Sequence, residues 1–327
     1  MEKQRDFAVD IIKFIAVFLI INSHADMMYP RMSILATGGA IGDCLFLFVS
    51  GYTIFLGKMQ TFGNYYKRRI NRIMPSVFAA LAFIHIINYN PFINVCDFLG
   101  GEFIEAIMVY YVLLYIIRKY VVNHIKVVIV FVAVVTLVLY VFWFPYKYET
   151  SSMGLYGIST LFRWVPYFAF MLMGAYMGLK NEVTIKYSCK PWVNFVKMVG
   201  CLILFYGIQL IARMYPFVAP LQILTLIPLM GIVLYMYHWC KADFFKRVYM
   251  SSKGNKIILF VSGLCLESYL IQYNLFTDAM NSIWPINILI VSILILACSY
   301  LVRCLARIFS QTFKTEDYDW RKVFSIV

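Results

Sequence analysis

Apolar residues in this chain collect in long runs separated by short polar stretches. A helix needs about 17 to 25 mainly apolar residues to cross a bilayer. Runs of that kind, the third of them short, predict helices over 7–26, 38–57, 76–90, 103–120, 124–144, 157–179, 193–213, 219–240, 257–276 and 284–306. No hydrophilic stretch is long enough for a separate water-soluble domain, and no internal repeat or low-complexity segment interrupts the series. The expectation is an all-α, polytopic membrane protein of about ten transmembrane helices. One membrane domain covers residues 1–310, and KTEDYDWRKVF lies in a short cytoplasmic tail over 311–327.

Composition fits that pattern. The 327 residues are 62% hydrophobic and only 14% charged, where a soluble domain carries about 25% charged residues. A net charge of +13 suggests nucleic acid in a soluble protein, but in a polytopic membrane protein it marks cytoplasmic loops. Position decides between them. With the N-terminus in the cytosol, Arg31, Lys147 and Arg213 fall in outside segments or at an outer span end and Lys13, Arg163 and Lys197 are assigned to spans; the rest of the 29 lysines and arginines lie in inside segments or at the inner ends of spans. That regularity implies an even number of spans, both termini cytoplasmic and no nucleic-acid partner. The opening MEKQRDF runs into the first span without a small-residue cleavage site, as a retained signal-anchor helix does. The eight cysteines show no CxxC and no pairing with histidine, so neither a disulfide nor a metal site is expected.

Three ionisable side chains break the first run, DIIKFIAVFLIINSH over 10–24. Lys13 and His24 are eleven residues apart, three helical turns with about 20° left over and a rise of roughly 16 Å, so they share a face. Asp10 precedes Lys13 by three residues, in pairing range. One stripe therefore carries an ion pair near the cytosolic end and an imidazole near the outer end. A charge well inside a span costs about 2.5 to 3.5 kcal/mol on insertion scales, and such residues usually face an internal cavity or pathway. In the competing reading Lys13 snorkels to the headgroups, neutralised by Asp10, and His24 sits at the outer interface beside Asp26. Histidine suits general-base work, since its ordinary pKa of about 6.5 lets it take a proton from a hydroxyl and release it at neutral pH.

The second run, DCLFLFVSGYTIFLGK, carries Ser50 and Gly51 in its inner half. A small pair lets another backbone or a slender ligand approach closely, and on its own mostly means helix packing. Next, in FGNYYKRRINRIMP, Lys67, Arg68, Arg69 and Arg72 precede Pro75, which restricts the start of the following helix. Arginines so spaced grip phosphates bidentately or anchor a loop on anionic lipid. Taken in order, a cation and then His in the first span, F-x-F-V-S-G-Y in the second and R-R-x-x-R-I-x-P after it resemble the acyltransferase-3 family of integral membrane acyltransferases. The resemblance covers residues 5–76 and resumes in VSGLCLESYLIQYNLF, where Leu266, Tyr269, Leu270 and Phe276 match.

The resemblance implies ten spans with both termini inside, in the inner (cytoplasmic) membrane. It also implies transfer of an acyl group, commonly acetyl, from cytosolic acyl-CoA to a hydroxyl of a cell-envelope glycan or glycolipid. Acetyl-CoA is then a donor substrate, no cofactor is tightly bound, and membrane lipids are the other partners. His24 would be catalytic, as general base or as transient acyl carrier, supported by Lys13 and Asp10. Arg68, Arg69 and Arg72 would hold the CoA phosphates, with Ser50 and Gly51 making room for the pantetheine arm. Arg163, Glu267 and Gln272 are candidates for binding substrate, and each is equally readable as a structural polar group. Two positions depart from the family pattern: Lys13 stands where arginine is usual, keeping the charge but losing the fork, and Gln272 stands where many members have histidine. Glu102 and Glu105 do not fit the spacing of the family's acidic motif. The competing function is a transporter of a glycan or lipid-linked saccharide, in which the basic run binds lipid and the polar stripe lines a pathway.

Overall fold

The computed structural model describes residues 6–88, 99–143, 154–157, 161–180 and 190–326. The first five residues, the cations Lys147 and Lys186, and Cys96 and Cys189 lie outside them. Only helices, turns and connecting segments occur among the described residues, with no strand. Solvent explains this, because in hydrocarbon a backbone N–H or C=O has no water to bond, and a helix satisfies both within one segment. In chain order the helices are α1 (Phe7–Ser23), α2 (Gly39–Leu56), α3 (Phe62–Asn88), α4 (Glu102–Ile116), α5 (Ile125–Phe142), α6 (Gly154–Gly157) and α7 (Leu161–Lys180). There follow α8 (Pro191–Met214), α9 (Leu226–Trp239), α10 (Asp243–Met250), α11 (Ser252–Gly263), α12 (Cys265–Ile271), α13 (Ile286–Thr312) and α14 (Trp320–Val323).

Among the described residues, six stretches are long and apolar enough to cross a membrane: Ser33–Leu56, Phe62–Asn88, Glu102–Phe142, Pro191–Met214, Pro216–Trp239 and Ile286–Thr312. The bent pair Ser252–Gly263 and Cys265–Asn274 makes a seventh if counted as one span. Outside these lie α1, of 17 residues, and α7, with Arg163 in its first turn and Lys180 at its end. The fourth and fifth expected spans run together in one stretch of 41 residues. Within it Ile117–Val121 winds as a π-helix before the 3-10 turn Val122–His124.

Two expectations change. The basic run is helical rather than a loop, because α3 starts at Phe62 and continues for 27 residues with Pro75 inside it. Proline deprives the carbonyl four residues earlier of its donor, a loss that membrane helices tolerate where neighbouring groups take up the freed oxygen. The ninth expected span is not one rod: α11 and α12 meet at Leu264 with a bend of 49°.

The chain sorts into two compact units. The first comprises Met1–Ile12, Cys44–Met59 and Leu113–Arg247; the second comprises Lys13–Asp43, Gln60–Val112 and Val248–Val327. In the first, α5 packs on α7, and α8 packs on α9 and on the 3-10 stretch Pro216–Thr225. There α2 and α7 touch backbone to backbone: a Cβ on Gly174 would lie 1.8 Å from the Phe48 carbonyl oxygen. Small residues that permit such an approach are the usual glue between membrane helices. In the second unit α13 packs on α3, and α12 packs on both. Ala79 and Ala80 of α3, Ile271 of α12, and Val302 and Ala306 of α13 form the core of that contact.

Apolar side chains also cover the outside. Val127, Phe131, Val134 and Val138 of α5 and Leu289, Ile293 and Leu301 of α13 are exposed, whereas Asp10, Glu267, Gln272 and Asn287 are buried. Polar groups within and aliphatic ones without is the inverse of a water-soluble fold, and it marks a multi-pass membrane protein.

Candidate active site

His24 is the first residue beyond α1, and its N–H bends back to the Ile21 carbonyl at 3.3 Å. The segment after it is pinned from several sides. Asn22 Nδ2 donates to the carbonyls of Leu35 (2.7 Å) and Thr37 (3.0 Å), while Tyr29 Oη donates to Asn22 Oδ1 at 2.6 Å. From farther along the chain, Asn281 Nδ2 donates to the Met27 carbonyl (3.0 Å) and Asn287 Nδ2 to that of Met28 (2.9 Å). Gly38, at φ 107°, turns the chain into α2, a conformation that side chains other than glycine's resist.

Against this braced turn stands Tyr273. Its hydroxyl lies 2.7 Å from His24 Nδ1 and 3.0 Å from Nε2, with ring centroids 4.6 Å apart. Tyr273 belongs to the 3-10 turn Gln272–Asn274 that follows α12. Asn88 Nδ2 holds that turn by donating to Asn274 Oδ1 at 2.6 Å, and Phe276 meets the tyrosine ring edge-on at 6.4 Å. The pair remains open to the surroundings, Tyr273 being 58% exposed.

The second unit also holds a buried polar cluster. Glu267, 6% exposed, accepts a hydrogen bond at Oε1 from Ser76 Oγ of α3 at 2.8 Å. The charges of Arg72 and Arg303 act on the same carboxylate. Those of Lys13, Asp43, Arg72 and Glu267 all act on the neighbouring Cys265 thiol. Lys13, Arg72 and Glu267, far apart in sequence, thus belong to one electrostatic neighbourhood. Gln272 is fully buried, and neither its amide oxygen nor its nitrogen finds a hydrogen-bond partner among the described residues. Glu267 Oε2 is in the same condition. Leaving such a buried group unbonded costs about 1–3 kcal/mol.

Helical winding divides the basic run. Arg68 and Arg72 are four residues apart and therefore share a face, and both are exposed. Arg69 turns instead between aromatic rings, its guanidinium 5.3 Å from the Tyr65 centroid and 5.4 Å from that of Tyr111. Tyr65 Oη in turn donates to the Tyr111 carbonyl at 3.1 Å.

Asp10, Ser50, Gly51 and Arg163 belong to the first unit. Asp10 is 2% exposed. A Cβ on Gly51 would lie 1.9 Å from the Met171 carbonyl oxygen, so α7 fills the room expected there for a ligand. Arg163 donates to the Tyr156 carbonyl at 2.9 Å and lies 5.8 Å from the Tyr167 ring centroid. The same unit holds a network that spacing does not reveal. Asp6 Oδ2 accepts from Tyr52 Oη (2.7 Å) and Tyr237 Oη (3.0 Å) and pairs with Lys241 Nζ at 3.6 Å, while Oδ1 accepts from the Ala8 N–H at 3.0 Å.

Sequence spacing does not single out Tyr273, Ser76, Asp43 or Arg303 either. The nearest signal is that Tyr273 follows Gln272, where the family pattern often places histidine. No group of three or more His, Cys, Asp or Glu suited to a metal ion occurs among the described residues. Over residues 6–304 the sequence matches a family model described as an acyltransferase domain. No curated protein and no solved structure matches it.

Proposed function

The chain belongs to the acyltransferase-3 family and is a membrane acyltransferase, and on that premise we propose that it moves an acetyl group from cytosolic acetyl-CoA to a hydroxyl of a cell-envelope glycan or glycolipid. The observation that carries the reading is His24 itself, half-buried beyond the end of α1, hydrogen-bonded to Tyr273, and in the same compact unit as Lys13 and the cationic face of α3. His24 acts as general base. It takes the proton of the acceptor hydroxyl while that oxygen attacks the thioester carbonyl; the C–O bond forms, the C–S bond breaks, and the departing CoA sulfur receives the proton back from the imidazolium.

Arg68 and Arg72, on the exposed face of α3, take the CoA phosphates, and Arg69 braces that helix through Tyr65 and Tyr111. Lys13 steadies the donor, with Asp10 one turn before it on α1. Glu267 Oε2 and the Gln272 amide supply acceptors and donors of the kind a sugar hydroxyl requires. The protein works in the cytoplasmic membrane, with both termini in the cytosol and ten spans.

Purified protein in liposomes, given radiolabelled acetyl-CoA and an envelope glycan fraction, tests this. Label should reach the glycan with the wild type and not with His24→Ala. If the label stays on CoA while glycan crosses the liposome membrane, the exporter reading replaces this one.

A further inference from the structure

We propose that Arg303 binds substrate together with Glu267: its open Nη1 and the open carboxylate Oε2 hold a neutral group that accepts and donates hydrogen bonds at once, a hydroxyl or a secondary amide. The inference deepens the reading of Glu267 given above and rests on it. Arg303 lies nine residues before the end of α13 at Thr312, roughly 14 Å along the helix axis. An arginine so placed can snorkel to the headgroups. This one turns inward instead, and its Nη1 is buried with no acceptor among the described residues. The seat that receives it is Gly263, the last residue of α11, directly before the 49° bend into α12. A Cβ there would lie 2.5 Å from Arg303 Nη1 and 3.3 Å from Cζ, so only a bare Cα lets the guanidinium rest against the helix end. One turn farther along α13, Arg307 is spent otherwise, donating to the Val323 and Ser325 carbonyls.

Beyond the bend α12 carries Glu267, whose Oε1 is engaged by Ser76 and whose Oε2 is buried without a donor among the described residues. The charges of Glu267 and Arg303 act on each other, yet no hydrogen bond joins Nη1 to Oε2. A buried guanidinium and a buried carboxylate gain most by closing on one another, and leaving a polar atom of each unbonded is costly. Two such costs in one electrostatic neighbourhood mark capacity kept for a ligand, the usual purpose of ionisable groups inside membrane spans. The paired signs fix the chemistry of that ligand. Glu267 repels an anion brought to Arg303, and Arg303 repels a cation brought to Glu267, whereas a hydroxyl or an amide suits both. In the proposed reaction two substrates carry such groups, the sugar acceptor and the pantetheine arm of the CoA donor.

Gly263→Ala tests this without changing any ionisable group, because the added methyl displaces only the flexible end of Arg303 and alanine suits a helical backbone. Arg303→Lys is the second variant; it keeps the charge near Glu267 and removes the fork. In full-length protein, titration calorimetry measures binding of CoA and of adenosine bisphosphate, which keeps the nucleotide part of CoA without its arm, and the liposome assay gives KM for the glycan. If the arm is the ligand, CoA affinity should fall about 10-fold or more in both variants, the worth of a hydrogen bond to a charged group, while bisphosphate affinity holds. If the sugar is the ligand, KM for the glycan should rise by that factor with kcat and CoA affinity kept. Equal weakening of CoA and bisphosphate would make Arg303 one more phosphate ligand and overturns the proposal. Wild-type values in both variants overturn it too, since a mere counter-ion of Glu267, or open atoms that meet only water, would give that result. A wild type that moves no label, but whose CoA affinity falls on Gly263→Ala, sinks the transferase reading and leaves the seat standing.

Discussion

Asp6 in the first unit and Glu267 in the second are both carboxylates withdrawn from solvent, but only one is saturated. Asp6 takes two phenol hydroxyls, a backbone N–H and a lysine ammonium, so both oxygens are engaged. The phenol rings also pack at a tilt against their neighbours: the Tyr52 and Tyr237 centroids lie 5.6 Å apart and Phe48 lies 5.3 Å from Tyr237. Among the described residues Glu267 receives one serine hydroxyl on Oε1 and no donor on Oε2, and the amide of Gln272, five residues on, is equally unengaged. In a low-dielectric interior a satisfied network rigidifies, and a partly satisfied one is costly. Asp6 therefore serves as scaffold, and the Glu267 neighbourhood keeps polar capacity for something other than the fold. Arg118 follows the first pattern, donating to the carbonyls of Ile54, Phe55 and Gly57 where α2 ends.

That contrast is open to test, beginning with the largest effect. His24→Ala should cut acetyl transfer by about 100- to 10,000-fold, the usual share of a general base, with the melting temperature of the detergent-solubilised protein unchanged. Asp6→Ala should do the reverse. It strips Tyr52, Tyr237 and Lys241 of their shared acceptor and should cost about 1–3 kcal/mol of stability, seen as a lower melting temperature, while transfer per folded molecule holds. An Asp6→Ala protein that melts normally but transfers nothing would break the comparison. Glu267→Gln leaves Ser76 an acceptor and removes the charge between Arg72 and Arg303; transfer should fall about tenfold, equivalent to ~1.4 kcal/mol, with little change in melting. If Glu267→Gln melts far lower and transfers normally, Glu267 joins Asp6 as scaffold.

The smallest effect lies in the tail. Asp319 Oδ1 accepts the Lys322 N–H at 3.1 Å and Oδ2 pairs with Lys322 Nζ at 3.0 Å, and the hydrogen bond from the lysine side chain holds this carboxyl below its usual range. A lowered folded-state pKa means that the cap contributes fully above the unfolded value of about 3.9 and is lost as pH falls through the lower folded one. Hydrogen exchange at the Lys322 amide should stay slow just above that unfolded value in the wild type and be fast in Asp319→Ala throughout. Equal protection in both would show that the tail is held by Arg307, which donates to the Val323 and Ser325 carbonyls, and not by its cap.

Particular elements show what was legible beforehand. The apolar runs located α2, α8 and the start of α13 to within about two residues, because a bilayer demands a minimum helix length and that demand is written locally. Pro75 misled, since the rule that proline starts or ends helices belongs to water-exposed chains, and α3 passes through it. Gly51 was legible as a small residue but not as a contact, because only packing decides whether the space beside a glycine takes a ligand or the Met171 backbone. Arg69 parted from Arg68 and Arg72 once the basic run wound into a helix, which turns adjacent residues by about 100°.

By itself the sequence determined the solvent, the helical class, the family and the cation followed by histidine in the first span, all of which depend on composition and order along a short stretch. Only the tertiary structure decided that residue 24 meets residue 273 and that residue 76 meets residue 267. It likewise decided that residue 6 gathers residues 52, 237 and 241. Such meetings depend on how small side chains let helices approach and where an α12-like break redirects the backbone, and neither periodicity nor spacing carries that information.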